Sequence, residues 1–330
     1  MELPIELKEK IEEEISKVGL KDLQKSAQNI SSRYRDEEKT KTTTRLIQNK
    51  EDALSYAVSR MPATYGAINS ALEHTLEILK INNIDYKKEL KTLLDIGAGT
   101  GTASWCASEY LDLENITCIE NEINMLSLGK KLMQENNKIY DIAKWKKQNV
   151  LTENIEEKAD VVITAYMLNE LNKENLNSIL EKIWNATNKL LLIVEPGTPE
   201  SYNRLMKIRK YFIEKNAEIV APCPHTKECK IQNDDWCSFS CRVARTKIHK
   251  LLKDGDVPYE DEKFCYIALY KGKIQNKESR ILRHPKIESG LIILKVCNKD
   301  SSINEVTITK RDKELFKKAK KSKAGDIMCK

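Results

Sequence analysis

Apolar residues recur at helical spacing through the first eighty positions. In LKEKIEEEISKVGL, Leu7, Ile11, Ile15 and Val18 lie three or four apart, which predicts an amphipathic helix stopping at Gly19. After a polar stretch over Lys39–Arg45, EDALSYAVSRMPATYGAINSALEHTLEIL predicts two more helices parted at Met61-Pro62, because proline disfavours helical backbone in the residue before it. Near Leu90 the period changes. KTLLDIGAG, ITCIENE, ADVVITAYML and KLLLIVEPG read as strands, with ASWCASEYL, MLSLGKKLMQEN, ENLNSILEKIWNAT and SYNRLMKIRKYFIEKN as the helices that follow them. This alternation predicts an α/β fold with a parallel, doubly wound sheet. An interruption rich in Cys, Pro and Trp comes next, then strand-like FCYIALYK, GLIILKVC and INEVTITK, and a basic end. The expected division is an N-terminal helical region over 1–85, an α/β core over 86–205, a Cys-rich insertion over 206–264, and C-terminal strands completing the sheet over 265–330.

Composition narrows the class. Of 330 residues, 40% are hydrophobic and 32% charged, which excludes wholesale disorder. The longest apolar run, around Leu190–Val194, is strand-length and far short of the roughly 18 residues a membrane span needs, so no membrane partner is expected. The opening MELPIELKEKIEEEI is acidic and resembles neither a signal nor a transit peptide, giving a cytoplasmic expectation. A monomer is the default expectation. Net charge is +6, and Ser301–Lys330 carries nine Lys or Arg against four Asp or Glu. Such an end is either a solvated face or a contact for an anionic partner such as RNA. Nine cysteines without an export signal point to metal or cluster ligands rather than disulfides.

The sharpest local signal is LLDIGAGTGTAS. Three of the chain's eleven glycines, Gly97, Gly99 and Gly101, fall within five positions between a strand and a helix. The spacing is G-x-G-x-G, with Thr102 where the dinucleotide fingerprint wants a small residue, which weighs against NAD. Asp95, at the strand end, suits the cationic amino group of a methionine-like ligand better than a pyrophosphate. Glu120 ends the next strand and is placed to accept both ribose hydroxyls. Asn149, after the following helical stretch, stands where adenine-edge contacts arise. The reading is a Rossmann-like, class I S-adenosylmethionine-dependent methyltransferase sheet. The acceptor side is sparser: TAYMLNEL offers Asn169 and Glu170, which serve equally well as substrate-orienting groups or helix caps.

Between Ala221 and Ser240, APCPHTKECKIQNDDWCSFS places Cys223, Cys229 and Cys237 in a polar, proline-broken segment too short for its own core. The gaps, C-x5-C-x7-C, fit a zinc knuckle badly. An iron–sulfur cluster takes wider gaps, with zinc the alternative. Cys297, Cys241 and His225 are the candidates for a fourth ligand, Cys297 first because it ends a strand able to return to the insertion.

SRMPATYGAI, LLDIGAGTGTASWCA, VEPGTPESY, APCPH…C…DWCSFSCRVARTKIHKLLK, YEDEKFCYIAL and the KAGD at Lys323–Asp326 together resemble the methyltransferase-like proteins of mitochondrial small-ribosomal-subunit assembly, which have bacterial and archaeal relatives. The resemblance runs from about Tyr56 onward. It implies a 4Fe-4S cluster on Cys223, Cys229, Cys237 and Cys297, and association with the small ribosomal subunit and its rRNA. It does not imply an acceptor for a methyl group, nor mitochondrial import. SFSCRVARTKIHKLLK is expected as a basic helix with Arg242, Arg245 and His249 on one RNA-facing side. Two readings follow: a methyltransferase acting on small-subunit rRNA, or an assembly factor that binds nucleoside and RNA and transfers nothing.

Overall fold

The computed structural model describes residues 1–35, 47–134, 136, 138–171, 173–231, 235–253, 256–275 and 277–328; the polar stretch at Lys39–Arg45 lies outside them. The N-terminal region holds α1 (Ile5–Ser16), α2 (Leu20–Arg35), α3 (Lys50–Ser59) and α4 (Met61–Ile81). The α1 face expected from the spacing is the one that packs: Leu7, Ile11 and Ile15 are buried. Pro62 sits in the first turn of α4, where its missing N–H costs no hydrogen bond, and the break from α3 falls at Arg60.

The core follows as β1 (Thr92–Ile96), α5 (Thr102–Tyr110), β2 (Asn115–Glu120), α6 (Ile123–Met133), β3 (Ala143–Lys147), β4 (Ala159–Ala165), α7 (Leu176–Ala186), β5 (Thr187–Pro196), α8 (Pro199–Glu214) and β6 (Glu218–Ala221). Then come β7 (Phe239–Ala244), α9 (Lys247–Lys253) and β8 (Tyr259–Tyr270). The main sheet runs β3-β2-β1-β4-β5-β8-β6, with β7 also pairing to β8. β1 to β5 pair in parallel and β8 runs antiparallel between β5 and β6, the strand arrangement of class I methyltransferases. Both sheet faces are covered. In β5, Leu190, Leu192 and Val194 face the core under the N-terminal helices, and Leu191 and Ile193 face that under α7 and α8. A strand covered on both sides reads as a continuous apolar run, which is why KLLLIV was visible in the sequence.

Two expectations are corrected here. Of the C-terminal strands, only β8 completes the main sheet. β9 (Arg280–Ile281), β10 (Lys286–Glu288), β11 (Leu291–Cys297) and β12 (Ile303–Thr309) form a separate four-stranded antiparallel sheet. That sheet has its own apolar core, with Ile281, Ile292, Leu294, Val296 and Ile308 buried under α10 (Lys313–Lys321). The expected basic helix SFSCRVARTKIHKLLK is instead β7 followed by α9. Phe239, Cys241 and Val243 alternate inward and Arg242 outward, a period of two that wins once β8 offers a partner.

Candidate active site and cysteine cavity

The turns after β1, β2, β3 and β4 meet at the carboxyl edge of the sheet, where doubly wound folds bind ligands. Gly97, Gly99 and Gly101 all have positive φ (69°, 56° and 82°), a backbone region that side chains with a Cβ rarely enter. The Gly97 and Ala98 amides both donate to the Ile119 carbonyl, pinning the turn to β2. The Glu120 carboxylate accepts from the Gly99 N–H and the Glu122 N–H, each at 2.7 Å. It is therefore already aimed across the turn. Burial raises its pKa, and the amides of Glu122, Gly99 and Asn121 oppose that rise.

Asp95 is placed differently from the expectation. It is 2% exposed, and its Oδ2 accepts from the Ser104 N–H (3.1 Å) and Oγ (2.8 Å). It therefore props the start of α5 rather than reaching a ligand's amino group, and burial pushes its pKa up to about 7. Asn149 follows β3, a strand the sequence reading missed, and its Oδ1 accepts from the Leu151 N–H at 3.0 Å. The signal for β3 was weak because AKWKK is an edge strand defended by lysines.

The loop after β4 carries the acceptor-side candidates. Tyr166 has φ of +57° and donates its hydroxyl to Glu262 Oε1 at 2.7 Å. Arg60 stands 3.9 Å from the same carboxylate. The buried Asn169 Oδ1 has no hydrogen-bond partner. Glu170 reaches solvent yet is ringed by protein, and burial with the nearby Glu120 charge raises its pKa to about 7. Arg60 and Tyr56, from the SRMPATYGAI region and its lead-in, lie on the same crevice: Tyr56 feels the charges of Arg60, Glu170 and Glu120.

Beneath this loop sits Glu195, fully buried at the end of β5. It accepts from the Leu168 N–H (3.1 Å) and pairs with Arg204 (3.3 Å). Burial dominates and lifts its pKa to about 8. The folded chain thus keeps a proton that the unfolded chain releases above about pH 4.5. Between there and pH 8, stability falls with rising pH by up to about 1.4 kcal/mol per unit for that proton. Glu195→Gln is expected to flatten this decline, as read by melting temperature against pH; an unchanged slope would place Glu195 ionised.

On the far side of α8, Cys223, Cys229, Cys237 and Cys297 line one cavity with Tyr202 and His225. The first three come from the connection between β6 and β7, and Cys297 from the end of β11 in the second sheet. All are free thiols. The Cys297 Sγ lies 3.5 Å from His225 Nε2, and the Tyr202 hydroxyl 3.4 Å from Cys229 Sγ. Burial raises the pKa of Cys223, Cys237 and Cys297, and the neighbouring sulfurs add to it. Arginine charges work the other way: Arg209 and Arg280 on Cys223, Arg283 on Cys237. Cys241 does not join them; its Sγ packs against Gly66 of α4. Among the described residues, no three His, Cys, Asp or Glu side chains are grouped to hold a single metal ion.

The cavity wall is stapled from outside. Arg209 Nη2 donates to the His225 and Lys227 carbonyls, and Arg280, 1% exposed, donates to Pro222 and Gly325 carbonyls. Asp235 accepts from Arg283 and Lys295 of the second sheet. The Trp236 indole donates to the Gly197 carbonyl at 2.9 Å. A Cβ on Gly197 would stand 2.7 Å from the Lys263 carbonyl carbon and 2.8 Å from the Phe264 nitrogen, backbone that cannot give way cheaply. Gly197→Ala is expected to cost about 1–3 kcal/mol by overpacking and to expose Trp236, read by denaturant titration and indole fluorescence; wild-type values for both would refute the close approach.

The residues expected to grip RNA are otherwise engaged. Arg242 forms a two-pronged pair with Asp261 (2.7 and 2.9 Å), Arg245 pairs with Glu260 (2.9 Å), and His249 is fully buried. They share no helical face, because strand pairing to β8 sets Arg242 opposite Asp261.

Residues 50–329 match the family model described as mitochondrial small ribosomal subunit Rsm22. The chain belongs to this family. Rsm22-type relatives include the human mitochondrial ribosome assembly protein METTL17, 24% identical over 299 residues, covering 84% of this chain and 62% of that protein. A second is Rsm22-cox11 tandem protein 2 of Schizosaccharomyces pombe, 24% identical over 351 residues, covering 90% of this chain and 45% of that protein. The chain thus spans about half to two-thirds of these relatives' lengths. Among solved structures, magnesium protoporphyrin IX methyltransferase from Synechocystis with bound S-adenosylmethionine aligns at 11% identity and a TM-score of 0.40, covering 73% of this chain and 90% of that one. An RNA methyltransferase candidate from Pyrococcus horikoshii aligns at 16% identity and 0.40, covering 62% and 83%. The methyltransferase fold of this Rsm22 family member is read from its own strand order. Among its described residues no helix is long and apolar enough to cross a membrane.

Proposed function

We propose that this chain is a small-ribosomal-subunit assembly factor that binds S-adenosylmethionine at the carboxyl edge of its sheet and holds a 4Fe-4S cluster in its cysteine cavity. The observation that carries the cofactor reading is the Glu120 carboxylate, held at the glycine turn by the Gly99 amide. There it accepts a ribose diol, with the turn close beneath the ligand. S-adenosylmethionine supplies an electrophilic methyl group when bound; the chain's part is to orient it. The cluster reading is supported by Cys223, Cys229, Cys237 and Cys297, brought from two separate segments to one cavity with arginines nearby to offset thiolate charge; a fifth thiol on the wall, Cys265 of β8, donates to the Pro196 carbonyl at 3.1 Å. A single zinc needs all four sulfurs about 2.3 Å from one point. The C-x5-C-x7-C spacing, too wide for a zinc knuckle, favours the larger cluster.

Whether methyl transfer occurs turns on the loop after β4. Glu170, with a pKa near 7, is suited to take a proton from a nitrogen or oxygen acceptor close to neutrality, and the unpartnered Asn169 Oδ1 offers a hydrogen-bond acceptor to orient it. Incubation with methyl-labelled S-adenosylmethionine and precursor small subunits is expected to label the RNA, and Glu170→Gln to lose at least tenfold in rate. Tight cofactor binding with no label in RNA or subunit protein would establish the non-catalytic reading instead.

A further inference from the structure

With Arg242 and Arg245 neutralised by carboxylates, a basic surface remains open on the second sheet's helix. In α10, KELFKKAKK, Leu315, Phe316 and Ala319 turn to the apolar core of that sheet. At 100° per residue, Lys313, Lys317, Lys320 and Lys321 share the opposite arc, with Lys318 on its flank. The ridge from Lys313 through Lys317 to Lys321 is about 12 Å long. All five lysines are exposed, as are Lys310 and Arg311 leading into the helix. Glu314 is the one acid on the helix and pairs with Lys317 at 3.3 Å. Among the described residues, Lys313, Lys318, Lys320 and Lys321 have no carboxylate within ion-pair reach. Like charges at i,i+4 repel, and the fold sets only Glu314, paired with Lys317, against this face, which a polyanion would relieve further.

We propose that the lysine face of α10 docks an RNA phosphate backbone, an inference that rests on the ribosome-assembly reading above. The face offers flexible point charges and no apolar anchor: Leu315 and Phe316 are spent on the module's core. Protein interfaces centre on aromatic and aliphatic anchors and are depleted in lysine, whereas backbone binding to nucleic acid needs charge alone. The contact is therefore sequence-independent and fixes orientation, leaving any base recognition to the crevice.

The test compares the full chain with K313Q/K317Q/K321Q and with the corresponding triple arginine variant, using in vitro transcribed small-subunit rRNA across a potassium chloride series. Because these side chains are exposed, circular dichroism and melting temperature are expected to be unchanged. The glutamine variant is expected to bind at least ~10-fold more weakly at low salt, with the slope of log K against log salt reduced by about 2. The arginine variant is expected to match wild type. Unchanged affinity and slope in the glutamine variant would overturn the proposal, as would retained RNA binding with selective loss of an acidic ribosomal protein. Cosedimentation with native small subunits separates the two levels. A wild-type chain that fails to cosediment sinks the ribosome reading, whereas a glutamine variant that cosediments like wild type sinks only the docking face.

Discussion

Cys297→Ser protein purified without oxygen is expected to be colourless, while wild type and Cys241→Ser show the visible thiolate-to-iron band. Cys297 reaches the cavity from β11, and its Sγ stands beside His225 and within the electrostatic reach of Cys223 and Cys229. Cys241 lies against Gly66 under α4 and has no part in the cavity. The described residues of the connection that carries the other three cysteines form no helix or strand, so a group held there supplies folding free energy directly. Losing it is expected to lower the melting temperature by roughly 10 °C, on the scale of a few kcal/mol in a chain of this size. A retained band in Cys297→Ser, abolished by His225→Ala, would move the fourth position to the imidazole. Stoichiometric zinc in colourless wild-type protein would replace the cluster reading altogether.

Glu120→Ala is expected to weaken S-adenosylmethionine binding by 100-fold or more in calorimetry. Two charged hydrogen bonds to the ribose are lost, each worth about 1.5–3 kcal/mol, and the Gly99 and Glu122 amides lose their acceptor. Asp95→Ala makes the informative contrast. Its carboxyl is enclosed and bound by Ser104, so its loss is expected to fall mainly on stability and only indirectly on affinity. If Glu120→Ala binds like wild type, the crevice is not a nucleoside site.

Much of this molecule could be read from its sequence where one physical requirement dominates a short stretch. The parallel strands announced themselves because burial on both faces leaves no polar alternation, as in Leu190–Val194. The turn was legible because its backbone needs three residues of positive φ. The second sheet was not, since β11 and β12 look alike whether they extend the main sheet or pair with each other. β7 was misread because ARTKIHKLLK does continue as helix α9, and nothing local marks the change of period at Ala244. The partners Asp261 and Glu260 that neutralise Arg242 and Arg245 lie 19 and 15 residues away, a distance at which only tertiary pairing decides. Glu195 gave no signal at all, because a buried acid and a surface acid are the same letter.

The origin of Cys297 in a different sheet from Cys223 has a topological consequence. Any group gripped by both ties a ring of about 75 residues. By the chain-entropy relation for crosslinks, such a closure removes about 4–5 kcal/mol of freedom from the unfolded ensemble. A chain without the proposed cluster would lose that closure and hold its lysine-bearing module to the core through polar pairs such as Asp235 with Arg283 and Lys295 and Arg280 with the Pro222 carbonyl.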